Sequence, residues 1–295
     1  MPAHGDVSPS AERWLTKVRQ TNIPVAISYS GGASSKWMIH AVIHGLIPRP
    51  QHLAVITADT AIEHDWTYED IERTKADCLR AGIPFIQCAA GESLPDHLLR
   101  VSRDGSSRAD QPPLWIATRG GGMGRAQHRC TKEFKVAPMR RAQSAWLHSL
   151  DLRKRIVKWV GFAADEVARA VKSSGKQEVE WETLDFPAIR LGRRRDAQRA
   201  ELRAWGVAVP RFSMCTICPW KKAGRRWNET PERQLQKVYE IDEAIRDAAA
   251  IGLDEGEAYL SSALIPVSRL IKHGAPQLVL PGMDLAGCDA GPCFL

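Results

Sequence analysis

The chain has 295 residues, of which 44% are hydrophobic and 25% charged, a composition typical of a globular protein and unlike a disordered or fibrous one. Lys and Arg number 41 against 34 Asp and Glu, and the resulting net charge of +7 favours a polyanionic partner such as a nucleotide or nucleic acid.

Neither the hydrophobic runs nor the N-terminus indicates a membrane or secreted protein. No apolar run has the length of a membrane span, and the first residues lack the charged-then-apolar layout of a signal peptide. We therefore expect a cytoplasmic protein with no membrane partner. The 7 cysteines are an odd number, which favours free thiols or metal ligands over a disulfide framework in that compartment.

The first strand-to-helix junction is the main feature of the sequence. A helix over residues 9–20 is predicted to lead into a strand from Val25 to Tyr29, and a further helix follows the junction Ser30-Gly31-Gly32-Ala33-Ser34-Ser35. Paired glycines let the backbone approach an anion, and a helix N-terminus directs free N–H groups at it. The alternative is a tight turn in which Ser34 or Ser35 is simply the N-cap.

The next elements predict a parallel α/β sheet. A second apolar run ends at Asp59, a helix over residues 66–81 is closed by Gly82, and a third strand covers residues 83–88. Because ligands bind at the carboxyl ends of such strands, we expect Asp59 near the first junction. The competing interpretation is that Asp59 only caps its helix.

The pattern then lapses between residues 103 and 129. This segment is rich in Gly, Ser, Arg and Pro and lacks periodicity, so it is predicted to be a long loop. Its glycines at 120–122 and its basic residues Arg119, Arg125 and Arg129 either fold over phosphates or remain a solvated, mobile loop.

Two more strands are predicted, in residues 155–162 and 179–189. Between them lies a helix whose first turns carry Asp165, Glu166 and Arg169. The acidic residues suit a helix N-terminus, whereas Arg169 is a candidate for the ligand crevice.

The C-terminal part of the sequence contains four cysteines in two pairs. Cys215 and Cys218 form a C-x-x-C pair, and Cys288 and Cys293 lie close to the C-terminus. Three interpretations stay open at this point: a [4Fe–4S] cluster, a structural zinc, or a redox dithiol.

Several stretches resemble the adenine nucleotide alpha hydrolase superfamily, and within it the phosphoadenosine phosphosulfate (PAPS) reductase-like proteins with their pyrophosphate-binding (PP) loop. The stretches are Ser30–Ser35, Ala58–Thr60 with Glu63, Arg129–Thr131 with Lys135 and Pro138, Gly161–Arg169, and the C-x-x-C at Cys215 and Cys218. Their occurrence in the family's order is more specific than any single one of them.

The resemblance implies a fold and a set of site residues. The implied fold is α/β: a doubly wound parallel sheet of five strands in the order 3-2-1-4-5, followed by a C-terminal, cysteine-bearing helical extension. An adenine nucleotide, either ATP or PAPS, would lie at the carboxyl end of the first strand. The predicted nucleotide-binding residues are Ser28, Ser30, Gly31, Gly32, Ser34, Ser35, Asp59, Arg129 and Arg169.

The resemblance also implies a metal centre. The predicted ligands are Cys130, Cys215, Cys218 and Cys293, with a [4Fe–4S] cluster as the main prediction and zinc as the alternative. Asp59 would contact the ribose, or a Mg²⁺ ion if one binds. Ala33 and Ser34 stand where related loops carry Lys and Asp, and Lys36 is expected to replace only part of that charge.

Three functions follow from these features. The main prediction is PAPS reductase-like chemistry, in which Cys288 or Cys293 attacks the sulfur of an adenylyl sulfate and a thioredoxin-like partner completes reduction to sulfite. The alternative is an ATP pyrophosphatase that adenylates a nucleic-acid base or backbone so that a sulfur donor can replace the oxygen. The third is a non-catalytic, zinc-containing module that binds nucleic acid.

We divide the chain into two parts on these grounds. Residues 1–210 are predicted to form the PP-loop α/β domain, and residues 211–295 a helical extension with the metal or cluster cysteines, packed on the first part as one unit.

Overall fold

A computed structural model describes residues 8–105, 108–175, 179–220, 227–253 and 256–273. Its strands are β1 (Val25–Tyr29), β2 (Leu53–Asp59), β3 (Phe85–Ala89), β4 (Trp115–Ala117), β5 (Met123–Arg125), β6 (Ile156–Val160), β7 (Glu182–Asp185) and β8 (Glu257–Tyr259). Its α-helices are α1 (Pro9–Gln20), α2 (Ala33–Ile43), α3 (Asp65–Arg80), α4 (Leu94–Asp104), α5 (Ala137–Ser149), α6 (Val167–Ser174), α7 (Pro187–Arg190), α8 (Arg195–Ala204), α9 (Glu232–Ala244) and α10 (Val267–His273).

The main sheet has five strands in the order β3-β2-β1-β6-β7. All neighbouring strands are parallel, and Ile27 in the central strand β1 pairs with Val55 of β2 on one side and Trp159 of β6 on the other. This confirms the predicted order 3-2-1-4-5, because the predicted fourth and fifth strands are β6 and β7. The order reverses at β1, and the edge of such a sheet offers a ligand crevice at that point.

Successive side chains of β1 point to opposite faces of the sheet, and both faces are buried. Ile27 packs with Trp37 of α2 and Leu202 of α8 on one face. Ala26 packs with Trp146 of α5 on the other. Helices therefore cover both faces, which makes the fold doubly wound.

The segment predicted to be a long loop contains regular structure, so that prediction is wrong. Helix α4 runs to Asp104, and β4 and β5 form an antiparallel hairpin in which Trp115 pairs with Arg125. Strand β8 pairs with the other side of β4 and completes a three-stranded sheet in the order β5-β4-β8. Three-residue strands carry little periodicity, and the partner strand lies far along the chain.

A second core joins the two parts of the chain. Leu98 of α4 and Ile116 of β4 pack with Val238 of α9 and Leu260 in one buried cluster. Residues on both sides of position 210 thus share this core. None of the helices in the described ranges has the length and hydrophobicity that crossing a bilayer requires.

Candidate functional site

The loop after β1 depends on two close backbone approaches. Gly31 has φ +75°, and a Cβ there would lie 2.7 Å from Cγ2 of Thr67. A Cβ on Gly161, which follows β6, would lie 2.7 Å from the backbone nitrogen of Ser35. Both positions require glycine because any larger residue would push the loop or the first turn of α2 away.

Hydroxyl groups hold the loop in place. Oγ of Ser35 accepts a 3.2 Å hydrogen bond from the backbone N–H of Ser30 and donates a 3.1 Å bond to the carbonyl of Gly32. Ser213 donates from its hydroxyl to the carbonyl of Ser30. These bonds fix the conformation of the loop without occupying the amides at the start of α2.

The N-terminus of α2 has no side-chain cap. Its N-cap residue is Gly32, and not Ser34 or Ser35 as the alternative interpretation held. The first hydrogen bond of the helix runs from the N–H of Lys36 to the carbonyl of Gly32 at 3.0 Å. The N–H groups before Lys36 have no partner within the helix, and such groups suit an anion.

A crevice opens beside this loop and contains two lysines. Its lining residues are Ser28, Tyr29, Ser30, Thr57, Ala58, Glu63, Thr67, Ile71, Thr131, Lys135, Val136, Met139 and Lys158. Nζ of Lys135 lies 3.1 Å from Oε1 of Glu63, and Nζ of Lys158 lies 3.5 Å from Oε2 of Glu182. The crevice therefore combines hydroxyls with two lysines, each paired with a glutamate, and it borders the loop that leads into α2 through Ser30. Hydroxyls and lysines are groups that bind phosphate oxygens.

Glu63 connects the crevice to the C-x-x-C pair. Its Oε1 accepts a 3.1 Å hydrogen bond from the thiol of Cys215, while its Oε2 is buried and has no hydrogen-bond partner among the described residues. Burial, reinforced by the charge of Glu63, raises the pKa of the Cys215 thiol to about 12. Cys215 is therefore a neutral thiol at pH 7 in the structure described here.

Lys36 is directed away from the crevice. Its Nζ lies 2.6 Å from Oδ1 of Asp70, and both side chains are buried. Oδ2 of the same carboxylate accepts a 2.7 Å hydrogen bond from the hydroxyl of Tyr29. Lys36 consequently does not supply the part of the loop charge that the sequence suggested.

The predicted nucleotide-binding residues fall into two groups. Ser28 and Ser30 line the crevice, and Gly31, Gly32, Ser34 and Ser35 form the loop and the start of α2. Asp59, Arg129 and Arg169 form contacts with other residues of the chain.

Asp59 stabilises its own turn, since Oδ1 accepts hydrogen bonds from the N–H of Ala61 at 2.7 Å and from the hydroxyl of Tyr68 at 3.0 Å. Nε of Arg129 lies 2.9 Å from Oδ1 of Asp110. Arg169 forms an ion pair with Glu166, and its guanidinium lies 4.7 Å from the centroid of the Phe162 ring.

Three of the predicted metal ligands lie within the described residues. Cys130, Cys215 and Cys218 form no disulfide there, and Cys218 donates its backbone N–H to the carbonyl of Cys215 at 3.1 Å. Within the described ranges, no three His, Cys, Asp or Glu side chains are placed to hold a metal ion. The described thiols therefore do not form a cluster or zinc site by themselves. Cys288 and Cys293 lie outside the described residues.

Sequence reasoning missed Lys158 and the partners of Lys135. A signal for Lys158 was present: it is the charged residue within an otherwise apolar strand run, and a charge in a central strand needs a polar partner. No local signal pairs Lys135 with Glu63 or Glu63 with Cys215, because those contacts connect distant segments.

The chain resembles solved structures but matches no family model or curated sequence. Among solved structures, the chain is similar to the U34-tRNA thiolase NcsA from Methanococcus maripaludis with its [4Fe-4S] cluster. The identity is 14%, the alignment covers 89% of this chain and 78% of the thiolase chain, and the TM-score is 0.41. The strand order of the main sheet defines the fold.

Proposed function

We propose that the protein binds an adenine nucleotide at the loop after β1 and catalyses chemistry at its phosphate groups. One observation carries the proposal. At the point where the strand order reverses, the uncapped N-terminus of α2 adjoins a crevice that also contains Lys135 and Lys158. This arrangement suits phosphate oxygens, as helix N-termini in other α/β folds do.

The residues of the crevice would act together on the phosphates. The first-turn amides of α2 and the hydroxyls of Ser30 and Ser34 would donate hydrogen bonds to phosphate oxygens and to charge that develops during reaction. Lys135 and Lys158 would neutralise the same oxygens. Glu63 would hold Lys135 in position through the 3.1 Å contact.

The reaction that these residues suit best is ATP-dependent adenylation. An oxygen of the acceptor would attack the α-phosphorus of ATP, the bond to the leaving oxygen would break, and pyrophosphate would depart. A sulfur nucleophile would then replace the adenylated oxygen and release AMP. The acceptor would be a nucleic-acid base or backbone, consistent with the net charge of +7.

Adenylation is preferred over PAPS reduction because Lys135 and Lys158 can neutralise the departing pyrophosphate. Reduction of PAPS or of adenylyl sulfate remains the second candidate, because the tail cysteines Cys288 and Cys293 supply thiols for it.

We further propose that the chain belongs to the PP-loop family and is divided at residue 210. Residues 1–210 would bind the nucleotide, and residues 211–295 would carry cysteines for a cluster or zinc. Cys130, Cys215 and Cys218 are not placed together to hold a metal ion in the part of the chain that the structure describes, so no step of the proposed reaction passes through a metal centre.

Equilibrium binding measured by calorimetry tests the proposed function. We expect saturable binding of ATP, weakened by Lys135→Gln and unchanged in Lys17→Ala, a control on the exposed side of α1. Release of pyrophosphate in the presence of the acceptor would support adenylation. Binding of PAPS in preference to ATP would support the second candidate, and binding of neither nucleotide would contradict both.

A further inference from the structure

One face of the small sheet carries a row of one basic side chain and two aromatic side chains, of which the aromatic ones are buried. Arg125 of β5, Trp115 of β4 and Tyr259 of β8 lie at paired register positions, so their side chains point to the same face. On the opposite face, Ile116 belongs to the second core. The row therefore lies on the side of the sheet that faces away from this core.

Arg125 is the centre of this row. Its guanidinium lies 4.3 Å from the centroid of the Trp220 ring and 5.9 Å from that of Trp115. The indole N–H of Trp115 donates to the carbonyl of Pro219 at 3.5 Å, which ties the hairpin to the segment after the C-x-x-C pair. Arg125 itself is exposed, so its guanidinium is presented outward from an aromatic support.

The charge around this edge is mainly positive, although Asp110 of the preceding segment pairs with Arg129. Residues 111–132 include Arg119, Arg125, Arg129 and Lys132 and contain no Asp or Glu. The acids that lie closest in the small sheet are on the β8 side: Glu257 pairs with Ala117 and accepts a hydrogen bond from the hydroxyl of Tyr259. Strand β5 thus carries a basic side chain at its edge, whereas β8 carries Glu257 and contacts Arg246.

Exposed apolar surface is present at the same edge. Met123 of β5 is 48% exposed, and the register places it on the face of Arg125. A guanidinium stacked on an indole, next to an exposed thioether and further arginines, offers both cationic contacts for phosphates and flat surfaces for unpaired bases.

We infer that this surface, formed by Arg119, Met123, Arg125 and Trp220, binds single-stranded nucleic acid. The inference rests on the proposed function, because it assigns the place where the acceptor of that reaction docks. The hairpin is close in sequence to the crevice, since Thr131 and Lys135 line the crevice directly after the basic segment. A single strand can reach such a surface with both its phosphates and its unstacked bases, whereas a duplex presents mainly phosphates.

Fluorescence anisotropy of the full-length protein with labelled 20-nucleotide single strands tests the inference. We expect binding that weakens steeply with salt and falls on the order of 10-fold in Arg125→Ala. The affinity of Arg125→Lys for the oligonucleotide should lie between those of the wild-type protein and Arg125→Ala, because lysine keeps the charge and loses the planar stack. The matched control is Arg80→Ala, which removes an exposed arginine at the end of α3, outside the hairpin.

Three further arms complete the test. Single-stranded RNA and DNA of the same sequence identify the natural source of the ligand, and preference for either supports the inference. A duplex that binds as tightly as the single strands would overturn it, and so would vesicles with 30% phosphatidylserine that bind while oligonucleotides do not. A variant Arg125→Ala that binds oligonucleotides like the wild-type protein would also overturn it.

Calorimetry with ATP, performed on the same samples, separates this inference from the proposed function. Arg125 lies outside the crevice, so Arg125→Ala should retain the wild-type affinity for ATP. If ATP binds and oligonucleotides do not, the docking surface is wrong while the nucleotide site stands. If oligonucleotides bind through Arg125 and the protein does not bind ATP, the proposed function is wrong while the docking surface stands.

Discussion

Lys36 and Asp70 form a buried ion pair behind the loop after β1, with 2.6 Å between Nζ and Oδ1. Asp70 belongs to α3 and also accepts a hydrogen bond from Tyr29 at the end of β1. The pair therefore ties two helices and the central strand together. Its structural consequence is that the lysine next to the loop stabilises the fold, while Lys135 and Lys158 supply the positive charge of the crevice.

The first prediction concerns this ion pair. Lys36→Met should lower the free energy of unfolding by about 3 kcal/mol, because it leaves the Asp70 carboxylate buried without its counter-ion. Urea denaturation measures the change. The double variant Lys36→Met with Asp70→Asn should recover a large part of the loss. A single variant as stable as the wild-type protein would contradict the assignment of a buried charge pair.

The second prediction concerns Lys135, whose replacement should weaken ATP binding. Lys135→Gln is expected to weaken ATP binding by roughly 10- to 100-fold, since it removes a charge-assisted contact with a phosphate. Calorimetry measures the affinity, and Lys135→Arg should restore part of it. Equal losses of ATP affinity in Lys135→Gln and in the exposed-lysine variant Lys17→Ala would remove Lys135 from the site.

Gly161 provides a steric test of the loop. Gly161→Ala should displace the first turn of α2, because the new Cβ would lie 2.7 Å from the backbone nitrogen of Ser35. We expect ATP affinity to fall about 10-fold as the helix-terminal amides move. Gly175→Ala is the matched control, since a Cβ there has 3.8 Å to its nearest neighbour. Unchanged ATP affinity in Gly161→Ala would argue against phosphate binding at α2.

His40 predicts a pH dependence of stability. Burial lowers the pKa of His40 to about 4, partly offset by Asp77, whose Oδ2 lies 3.3 Å from Nε2. The unfolded chain takes up a proton near pH 6.5 and the folded protein does not, so stability is lost as pH falls from about 6.5 towards 4. The loss assigned to His40 should be on the order of 2 kcal/mol.

Urea denaturation between pH 7.5 and pH 4.5 isolates the contribution of His40. Carboxylates titrate in both proteins, so the relevant quantity is the difference in slope between the wild-type protein and His40→Gln. The neighbouring groups that influence this proton are Lys36, His44, Asp70 and Asp77. Parallel pH profiles for the two proteins would show that His40 does not carry the effect.

The thiols predict a metal content. Protein purified without oxygen should contain iron and labile sulfide if Cys130, Cys215, Cys218 and Cys293 hold a cluster, and stoichiometric zinc if they hold zinc. Cys215→Ser should lower the occupancy in either case. Cys78→Ser is the control, because Cys78 is buried in the core around β1, where burial raises its pKa to about 12. Full occupancy in Cys215→Ser would exclude Cys215 as a ligand.

The sequence by itself determined the parallel α/β pattern and the position of the loop, while the strand order 3-2-1-4-5 came from the resemblance to a known family. Strands and helices alternate with clear periodicity, and parallel strands joined by helices allow few topologies. The paired glycines and the hydroxyls of Ser30 and Ser35 are local features, so their contacts could be expected from spacing alone. The residues at the start of α2 could be predicted as an anion site because they are close together in the sequence.

Only the tertiary structure decided which charged and thiol groups meet at the crevice. Lys36 is in the first turns of α2, but the rotation of that helix against α3 turns it towards Asp70. Glu63 and Cys215 are 152 residues apart, and only the packed chain brings the thiol within 3.1 Å of the carboxylate. Strand β8 likewise completes the hairpin sheet from a distant segment. Such contacts depend on long-range packing, which local periodicity and spacing do not encode.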